Sequence, residues 1–438
     1  MRRKIVFIVA GIVAVLVGGL FGASPASAHN TFIDSSPRDG EILTSTPATW
    51  SVTFEKSVPL ESASGSIING DGSRIALASP QHGATDRVIV FTMPSGLNGA
   101  ISARWRLVGT DGHVISGRVS FTIQDEMGVA PVPTTPNSDA ATDDTAGAPD
   151  AIRVALRFAN FAAIVLLGGL LFAEFDIASG ALMTRRGRKL ALWAAGILAA
   201  APAAQFLIFA NDISTGGEGF LSAAADALSM TAGGMLLLRV VAGLALAWLV
   251  TMSLRMALAV RSLTTPICII SVAYLVSLAY GGHSRSQAAP LLGVPVDVAH
   301  TAAIAIWLGG LVALILIVVP SVDATGAVNA FSRFSFVAQR AVAVIALTGV
   351  IQTVRLHGNP VNLLSNAHGL LLIAKIAAVA VMIRLAARNR ETLRRHRTAG
   401  VTNNERPRDL LLRATTTEVV FGFGVLAITA ILVAVTPG

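Results

Sequence analysis

Three residues in the N-terminal part of the chain have the side-chain types and the spacing that could bind a metal ion. His29 directly follows Ala26-Ser27-Ala28, a small-residue cleavage site, so cleavage would make it the first residue of the mature protein. Its α-amine and its imidazole would then supply two nitrogen ligands. Asp111 and His113 are two residues apart, so on an extended segment both side chains point to the same face.

The donor set that these residues offer favours copper(II). Nitrogen and oxygen ligands near one plane match the tetragonal geometry that copper(II) prefers, and copper tops the affinity order of the divalent first-row metals. Gly112 would let the backbone approach a bound ion closely. Two simpler interpretations stay open, because Asp-Gly-His is also common as a turn and a histidine behind a leader can be accidental.

Residues 1–28 have the pattern of a secretory signal peptide. Arg2, Arg3 and Lys4 form a positive start, and residues 5–21 form an apolar core ahead of the cleavage site. The sequence therefore predicts export of the segment that follows, with an uncleaved anchor helix as the alternative.

Residues 29–125 predict a small all-β domain. They are rich in Ser, Thr, Gly and Pro, and short alternating runs at 50–54, 88–91, 101–108 and 119–123 are typical of strands. Strands of this length with turns between them predict a sandwich or barrel. Residues 126–150 carry too few large apolar side chains to fold alone and are predicted to be a disordered linker.

Residues 151–438 predict an all-α polytopic membrane domain. The whole chain is 53% hydrophobic and only 13% charged, with a mean hydropathy of +0.67. Eight apolar runs are long enough to cross a lipid bilayer as helices, namely 152–175, 189–211, 231–254, 264–281, 295–319, 332–354, 367–387 and 411–436.

The charge distribution predicts how these spans are oriented. Arginines cluster between the last two runs, which suits a cytoplasmic loop, whereas the loop near 211–229 has acidic residues and no Lys or Arg. The β-domain is therefore predicted on the extracytoplasmic side of the cell membrane, and an even number of spans puts the C-terminus outside as well. The same placement of charge excludes nucleic acid as a partner, despite the formal net charge of +8.

The cysteine count and the absence of familiar motifs restrict the chemistry further. Cys268 is the single cysteine, so the chain has no intrachain disulfide and no CxxC metal site. The sequence contains no GxxxxGK[ST] loop, which excludes an ATP-driven machine of the P-loop type. Four ionisable residues lie inside apolar runs, where they are costly and usually paired or functional: Arg239, Arg340, Lys375 and Glu418.

Several stretches of the β-domain resemble the CopC family of periplasmic copper-binding proteins. His29 is followed by SSPRDG at 35–40 and WSVTF at 50–54, and the later stretch 104–117 includes both Asp111 and His113. The resemblance implies an immunoglobulin-like or cupredoxin-like fold. It also implies that the α-amine and ring of His29, with Asp111 and His113, bind copper(II).

The β-domain departs from those CopC relatives that carry a methionine-rich copper(I) site. Only Met93 and Met127 lie in or near it, so we expect copper(II) binding alone there. His82 is predicted to be a surface residue rather than a ligand.

The region 151–438 resembles the CopD family in short stretches at 300–310, 333–335, 347–349 and 368–375, and at Arg384. The tandem is similar to CopC–CopD fusion proteins of the YcnJ type. This resemblance implies copper movement across, or into, the membrane.

Four histidines of the membrane domain form a predicted copper path. By the predicted topology they lie at outer ends of spans or in outer loops, on the side of the β-domain: His283, His300, His357 and His368. His300 and Trp307 are seven residues apart and so share a helix face, and Gly309 and Gly310 would let a neighbouring helix approach closely. Interfacial histidines without metal contact are the simpler interpretation.

These features predict a copper-binding and copper-transport membrane protein rather than an enzyme. Copper(II) would be captured outside and passed to the membrane domain for import. The membrane domain could carry copper(I), and a copper chaperone or reductase could take part. Copper tolerance by sequestration uses the same residues and stays open, as do haem held by the membrane histidines and a copper-brace redox enzyme, although Asp111 would occupy the position that oxygen needs in the latter.

Overall fold

The described part of the chain divides into two compact units. One unit contains the β-strands together with residues 208–233, and the other contains most of the long helices. The computed structural model describes residues 32–55, 57–58, 60, 63–70, 73–108, 114–124, 150–213, 220–256, 260–281, 290–357, 367–398 and 406–433. The predicted signal peptide at 1–28 and almost all of the predicted linker therefore lie outside the described residues.

The β-domain is a sandwich of two sheets. The first sheet has the strand order β1-β3-β7-β6 and the second has the order β2-β9-β8-β4-β5. Its strands are β1 (Phe32–Ser36), β2 (Ile42–Leu43), β3 (Thr49–Phe54), β4 (Ser64–Ile68), β5 (Arg74–Ala76), β6 (Gln81–His82), β7 (Val88–Thr92), β8 (Gly99–Val108) and β9 (Val114–Ile123).

Strict alternation of side chains builds the core between the sheets. In β3, Trp50, Val52 and Phe54 are fully buried while the residues between them are partly exposed, as a strand with one face on a core requires. Trp50 stacks on Phe91 of β7 with ring centroids 5.0 Å apart. His82 is exposed on the short edge strand β6.

From residue 150 onward the chain forms helices, most of them long and apolar; residues 208–233 belong to the unit of the β-strands and the other helical residues to the second unit. The helices are α1 (Asp150–Phe172, continued by a π-helical turn Ala173–Ile177), α2 (Arg185–Ile213), α3 (Phe220–Ser229), α4 (Thr231–Met256), α5 (Thr264–Tyr280), α6 (Pro290–Ile304 and its continuation to Ser321), α7 (Ala324–His357), α8 (Ala367–Thr398) and α9 (Arg406–Leu432). Short 3₁₀ turns at Ala181–Met183 and Val260–Leu263 precede α2 and α5.

The helices confirm the predicted fold class. Among the described residues, seven helices are long and apolar enough to cross a membrane, and Thr264–Tyr280 is a shorter apolar helix. Each of the eight predicted runs coincides with one of these helices. The chain is a β-domain followed by a multi-pass membrane region.

The fifth span, α6, is the central helix of the membrane region. Of its apolar window, 72% is buried, whereas no other span exceeds 44%, and it packs against α1, α5 and α7. Its continuation contains two π-helical turns, Ala305–Gly309 and Leu314–Val318, separated by Gly310–Ala313. Trp307 lies inside the first π-helical turn, so the ideal α-helical spacing that predicted a face shared with His300 does not apply there.

Glycines bring α6 and α1 into direct backbone contact. A Cβ atom at Gly309 would overlap the carbonyl oxygen of Val165 and the Cα of Gly169. The prediction that Gly309 permits a close approach is therefore confirmed, and α1 is the helix that approaches.

Gly309→Ala is expected to destabilise the membrane unit by about 1–3 kcal/mol, because the added methyl group must push two helices apart. The matched control is Gly196→Ala in α2, where a Cβ would meet no atom within 4 Å and alanine favours the helix. Thermal unfolding in detergent should show a lower midpoint for the first variant alone. Equal midpoints would mean that α1 and α6 do not pack through Gly309.

Candidate functional site

The structure describes only some of the predicted metal ligands. His29, Asp111, His113 and His283 lie outside the described residues. His357 is the last residue of α7 and His368 is the second residue of α8, although only their backbones are described. His300 is the one member of the predicted copper path whose side chain the structure describes.

The described flanks of the predicted copper(II) ligands meet in an aromatic cluster. Phe32, three residues after His29, stacks on Trp105 of β8 with ring centroids 6.3 Å apart. Phe54 pairs with Phe32 across the sheet and meets the Trp105 ring edge-on at 4.8 Å.

Strand directions bring the start of β1, the end of β8 and the start of β9 to the same end of the sandwich. β3 and β8 start together, since Thr46 Oγ1 donates to the Leu97 carbonyl at 3.2 Å, and they end together at the Phe54–Trp105 contact. β1 is antiparallel to β3, so β1 begins at the end at which β8 stops. The pair Val108↔Val114, the last of the β8–β9 ladder, lies at that end.

In the membrane unit, the His300 ring is held by the neighbouring helix α7. His300 is 8% exposed, and its Nδ1 lies 2.8 Å from Thr348 Oγ1. The Thr348 hydroxyl donates its own hydrogen to the Val344 carbonyl one turn earlier. Thr348 Oγ1 therefore accepts from His300 Nδ1–H.

This hydrogen bond fixes the tautomer of His300. With the proton on Nδ1, the Nε2 atom carries an unshared electron pair. His300 Nε2 is buried and has no hydrogen-bond partner in the described part of the chain. A buried polar atom without a partner is costly, and metal-binding histidines commonly donate their other ring N–H in this way. Nε2 is thus the ring nitrogen that carries no proton and has no protein partner among the described residues.

Polar groups from three helices surround this histidine. Asp297 lies one turn before His300 on α6, and Gln352 Nε2 donates to Asp297 Oδ1 at 2.8 Å. Lys375 of α8 interacts electrostatically with both Asp297 and His300. A Cβ at Gly349 would meet only the His300 Cε1 atom, at 3.8 Å, so α7 does not crowd the ring edge beside Nε2.

The described residues contain no complete metal site. No group of three or more His, Cys, Asp or Glu side chains that could hold a metal ion occurs among them. Sequence reasoning found His300 but missed Thr348, Asp297 and Gln352. Their helical spacing could have indicated that they lie near one another, because Thr348 and Gln352 are four residues apart on α7 and Asp297 and His300 are three residues apart on α6.

The domain order of the chain is decided by comparison with known families. Residues 32–124 match the CopC domain, and residues 328–432 match CopD, copper resistance protein D. The chain therefore contains a CopC domain followed by a segment that matches CopD. Its CopC domain is the β-sandwich, and the matched CopD segment covers nearly all of α7 together with α8 and α9.

Curated and solved relatives of the chain carry copper-related names. The chain is 24% identical over 402 residues to the copper transport protein CutJ of Bacillus subtilis (strain 168), covering 86% of this chain and 70% of the relative. CopC from Methylosinus trichosporium OB3b is 21% identical with a TM-score of 0.21, over 23% of this chain and 100% of that one. PcoC, a methionine-rich copper resistance protein from Escherichia coli, is 22% identical with a TM-score of 0.20, over 22% of this chain and 100% of that one.

Proposed function

We propose that this protein captures copper(II) on the extracytoplasmic side and passes it to its membrane region for import. The observation that carries the proposal is the presence of a CopC domain and a CopD segment in one chain. Overall similarity to a copper transport protein supports it. Copper is the cargo, and we propose no enzymatic role.

The capture site of the proposal consists of His29, Asp111 and His113. Its support is the common end of the sandwich towards which β1 and the β8–β9 hairpin lead. The α-amine and ring of His29 with the two later side chains would give the nitrogen and oxygen donor set that copper(II) prefers.

The receiving site of the proposal is His300, with His283, His357 and His368 as further members of the path. The unshared electron pair on the buried Nε2 atom supports this role. A neutral imidazole binds copper in either oxidation state, so the proposal admits copper(I) in the membrane region. Reduction would then require a reductase or another electron donor outside this chain.

The direction of movement separates import from tolerance. If the protein imports copper, cells that contain it should accumulate copper faster at limiting copper than matched cells without it. A slower rate would favour sequestration or export. Quantifying cell copper by mass spectrometry over the first minutes gives the initial rate, and His82→Ala is the matched control because His82 is exposed and outside both proposed sites.

Haem bound by the membrane histidines is the competing role for the same side chains, since a fixed imidazole can also bind haem iron. A visible absorption spectrum of the purified protein separates the two roles. The copper proposal predicts no Soret band in protein purified without added haem. A stoichiometric Soret band that disappears in His300→Ala would favour electron transfer instead.

A further inference from the structure

The second sheet of the β-domain carries positive charge on strands that contain no acidic residue. Its strands β2, β4, β5, β8 and β9 contain arginines but no Asp or Glu, whereas the strands of the first sheet contain no Arg or Lys. These arginines are Arg74, Arg104, Arg106 and Arg118. The strand charges of the sandwich are therefore divided unequally between its two sheets.

Side-chain alternation along β8 and β9 directs two of these arginines away from the core. Ala103, Trp105 and Val119 are buried. Arg104 and Arg118 alternate with them, so they project from the opposite face of the sheet, and both are exposed. The two arginines are direct partners in the antiparallel β8–β9 ladder, where partner Cβ atoms lie about 5 Å apart. Two guanidinium groups thus share one patch of surface.

Neither guanidinium of this pair is neutralised within the described part of the chain. Arg104 and Arg118 form no side-chain hydrogen bond and no ion pair with it, and like charges directly opposite each other destabilise a sheet. Asp39 lies at the edge of β9, but its Oδ1 accepts from the Ser120 N–H at 2.7 Å. The arginine pair therefore keeps its charge and its donor groups available to an anion outside the sandwich.

The residues around the arginine pair favour a phosphate headgroup over a protein surface. Ser66 is directly opposite Arg104 on β4, and Ser120 follows Arg118 two residues along β9 on the same face. Guanidinium groups match the geometry of phosphate and bind it through charge-assisted hydrogen bonds. The outward positions of β4, β8 and β9 whose side chains the structure describes include no aromatic residue, so this face lacks the aromatic anchors of a typical protein interface.

We propose that Arg104 and Arg118 dock the outer face of the second sheet on anionic phospholipid headgroups of the membrane that the chain itself spans. Residues 124–149 join β9 to α1, the first span. This covalent tether raises the effective concentration of lipid at the sheet, so weak contacts are sufficient. Each basic side chain adds to the attraction towards an anionic lipid surface. The docking does not depend on the proposed copper transfer.

The test measures how close the second sheet lies to lipid when the full chain is reconstituted into nanodiscs. A donor dye is attached at Ala76→Cys in a Cys268→Ser background, and the acceptor is a headgroup-labelled lipid. Ala76 is exposed and is the ladder partner of Ser66, so it lies on the same face as the arginine pair. Replacing part of the phosphatidylcholine by phosphatidylglycerol should raise the energy transfer, because two arginines favour the docked state by about 30-fold. Adding about 0.5 M NaCl should reverse the rise, since salt screens the attraction.

Charge variants assign the response to the arginine pair. The double variant Arg104→Gln/Arg118→Gln should lose the response to phosphatidylglycerol, and it removes only exposed side chains. Arg38→Gln is the matched control and should keep the response. Arg38 is also exposed, but it follows β1 of the first sheet and its guanidinium lies 3.5 Å from the Asp34 carboxylate.

Several results would overturn the proposal. They are the absence of a phosphatidylglycerol response with the native arginines, an equal response in the double variant, and a response that persists at high salt. The salt measurement needs no arginine variant, so it stays decisive if the double variant does not fold. Energy transfer that depends on the arginines but is equally high in phosphatidylcholine alone would also contradict lipid docking, since the occupant would then be an acidic part of the protein.

Discussion

One residue inserted between Ala28 and His29 is expected to weaken copper(II) binding at the β-domain by about 100-fold or more. The insertion leaves the His29 side chain in the sequence but moves the α-amine one residue away, so the two nitrogens of His29 no longer close one chelate on the metal. A 100-fold loss corresponds to about 2.7 kcal/mol. Competition titration of the purified mature protein against a copper(II) chelator of known affinity measures the change.

Two controls make this result specific. Mass spectrometry must show that wild-type protein begins at His29 and that the variant begins with the inserted residue. His82→Ala removes an exposed histidine of the same domain and should leave the affinity unchanged. An insertion variant that binds copper(II) as tightly as the wild type would remove the α-amine from the ligand set.

His300→Ala is expected to reduce copper transport by at least about tenfold while leaving copper(II) binding at the β-domain intact. The substitution removes the one described ring nitrogen that is buried with an unshared electron pair. Loss of a direct metal ligand should exceed the roughly 10–100-fold cost of losing a residue that only orients a ligand. Copper uptake and copper(II) affinity, measured on the same preparation, give the two readouts.

Variants of Thr348 separate a ligand role of His300 from a packing role. Thr348→Val keeps the side-chain shape but removes the oxygen that accepts from His300 Nδ1–H, so transport should fall. Thr348→Ser keeps the oxygen and should restore most of the rate. If valine and serine at this position give equal transport, the hydrogen bond does not prepare His300, and normal transport in His300→Ala would exclude the histidine from the path.

Local patterns in the sequence were sufficient to predict the long strands and the spanning helices. β3, β7, β8 and β9 alternate buried and exposed side chains, and the spanning helices are continuous apolar runs. Each of these patterns indicates a strand or a helix without reference to the rest of the chain. The short strands β5 and β6 and the helix α3 could not be predicted in this way. They contain few residues, and their pairing or packing depends on segments far along the chain.

The candidate sites were only partly predictable for a related reason. His300 is a single polar residue in an apolar run and stands out by itself. Thr348 is a residue type that spans tolerate, and its importance comes from the packing of α7 against α6. Neither π-helical turn of α6 has a sequence signature, since each depends on how α6 packs against its neighbours, with Gly309 against α1 in the first of them.

The most direct test of the copper-transfer proposal is the rate at which copper enters vesicles that contain only the purified protein and lipid. Copper(II) is supplied outside, in parallel runs without and with a reductant, and a copper-sensitive dye is enclosed. We predict faster entry than into protein-free vesicles, with the rate reduced both by His300→Ala and by the insertion before His29. Entry at the protein-free rate, or entry that neither variant slows, would contradict transfer from the β-domain through His300.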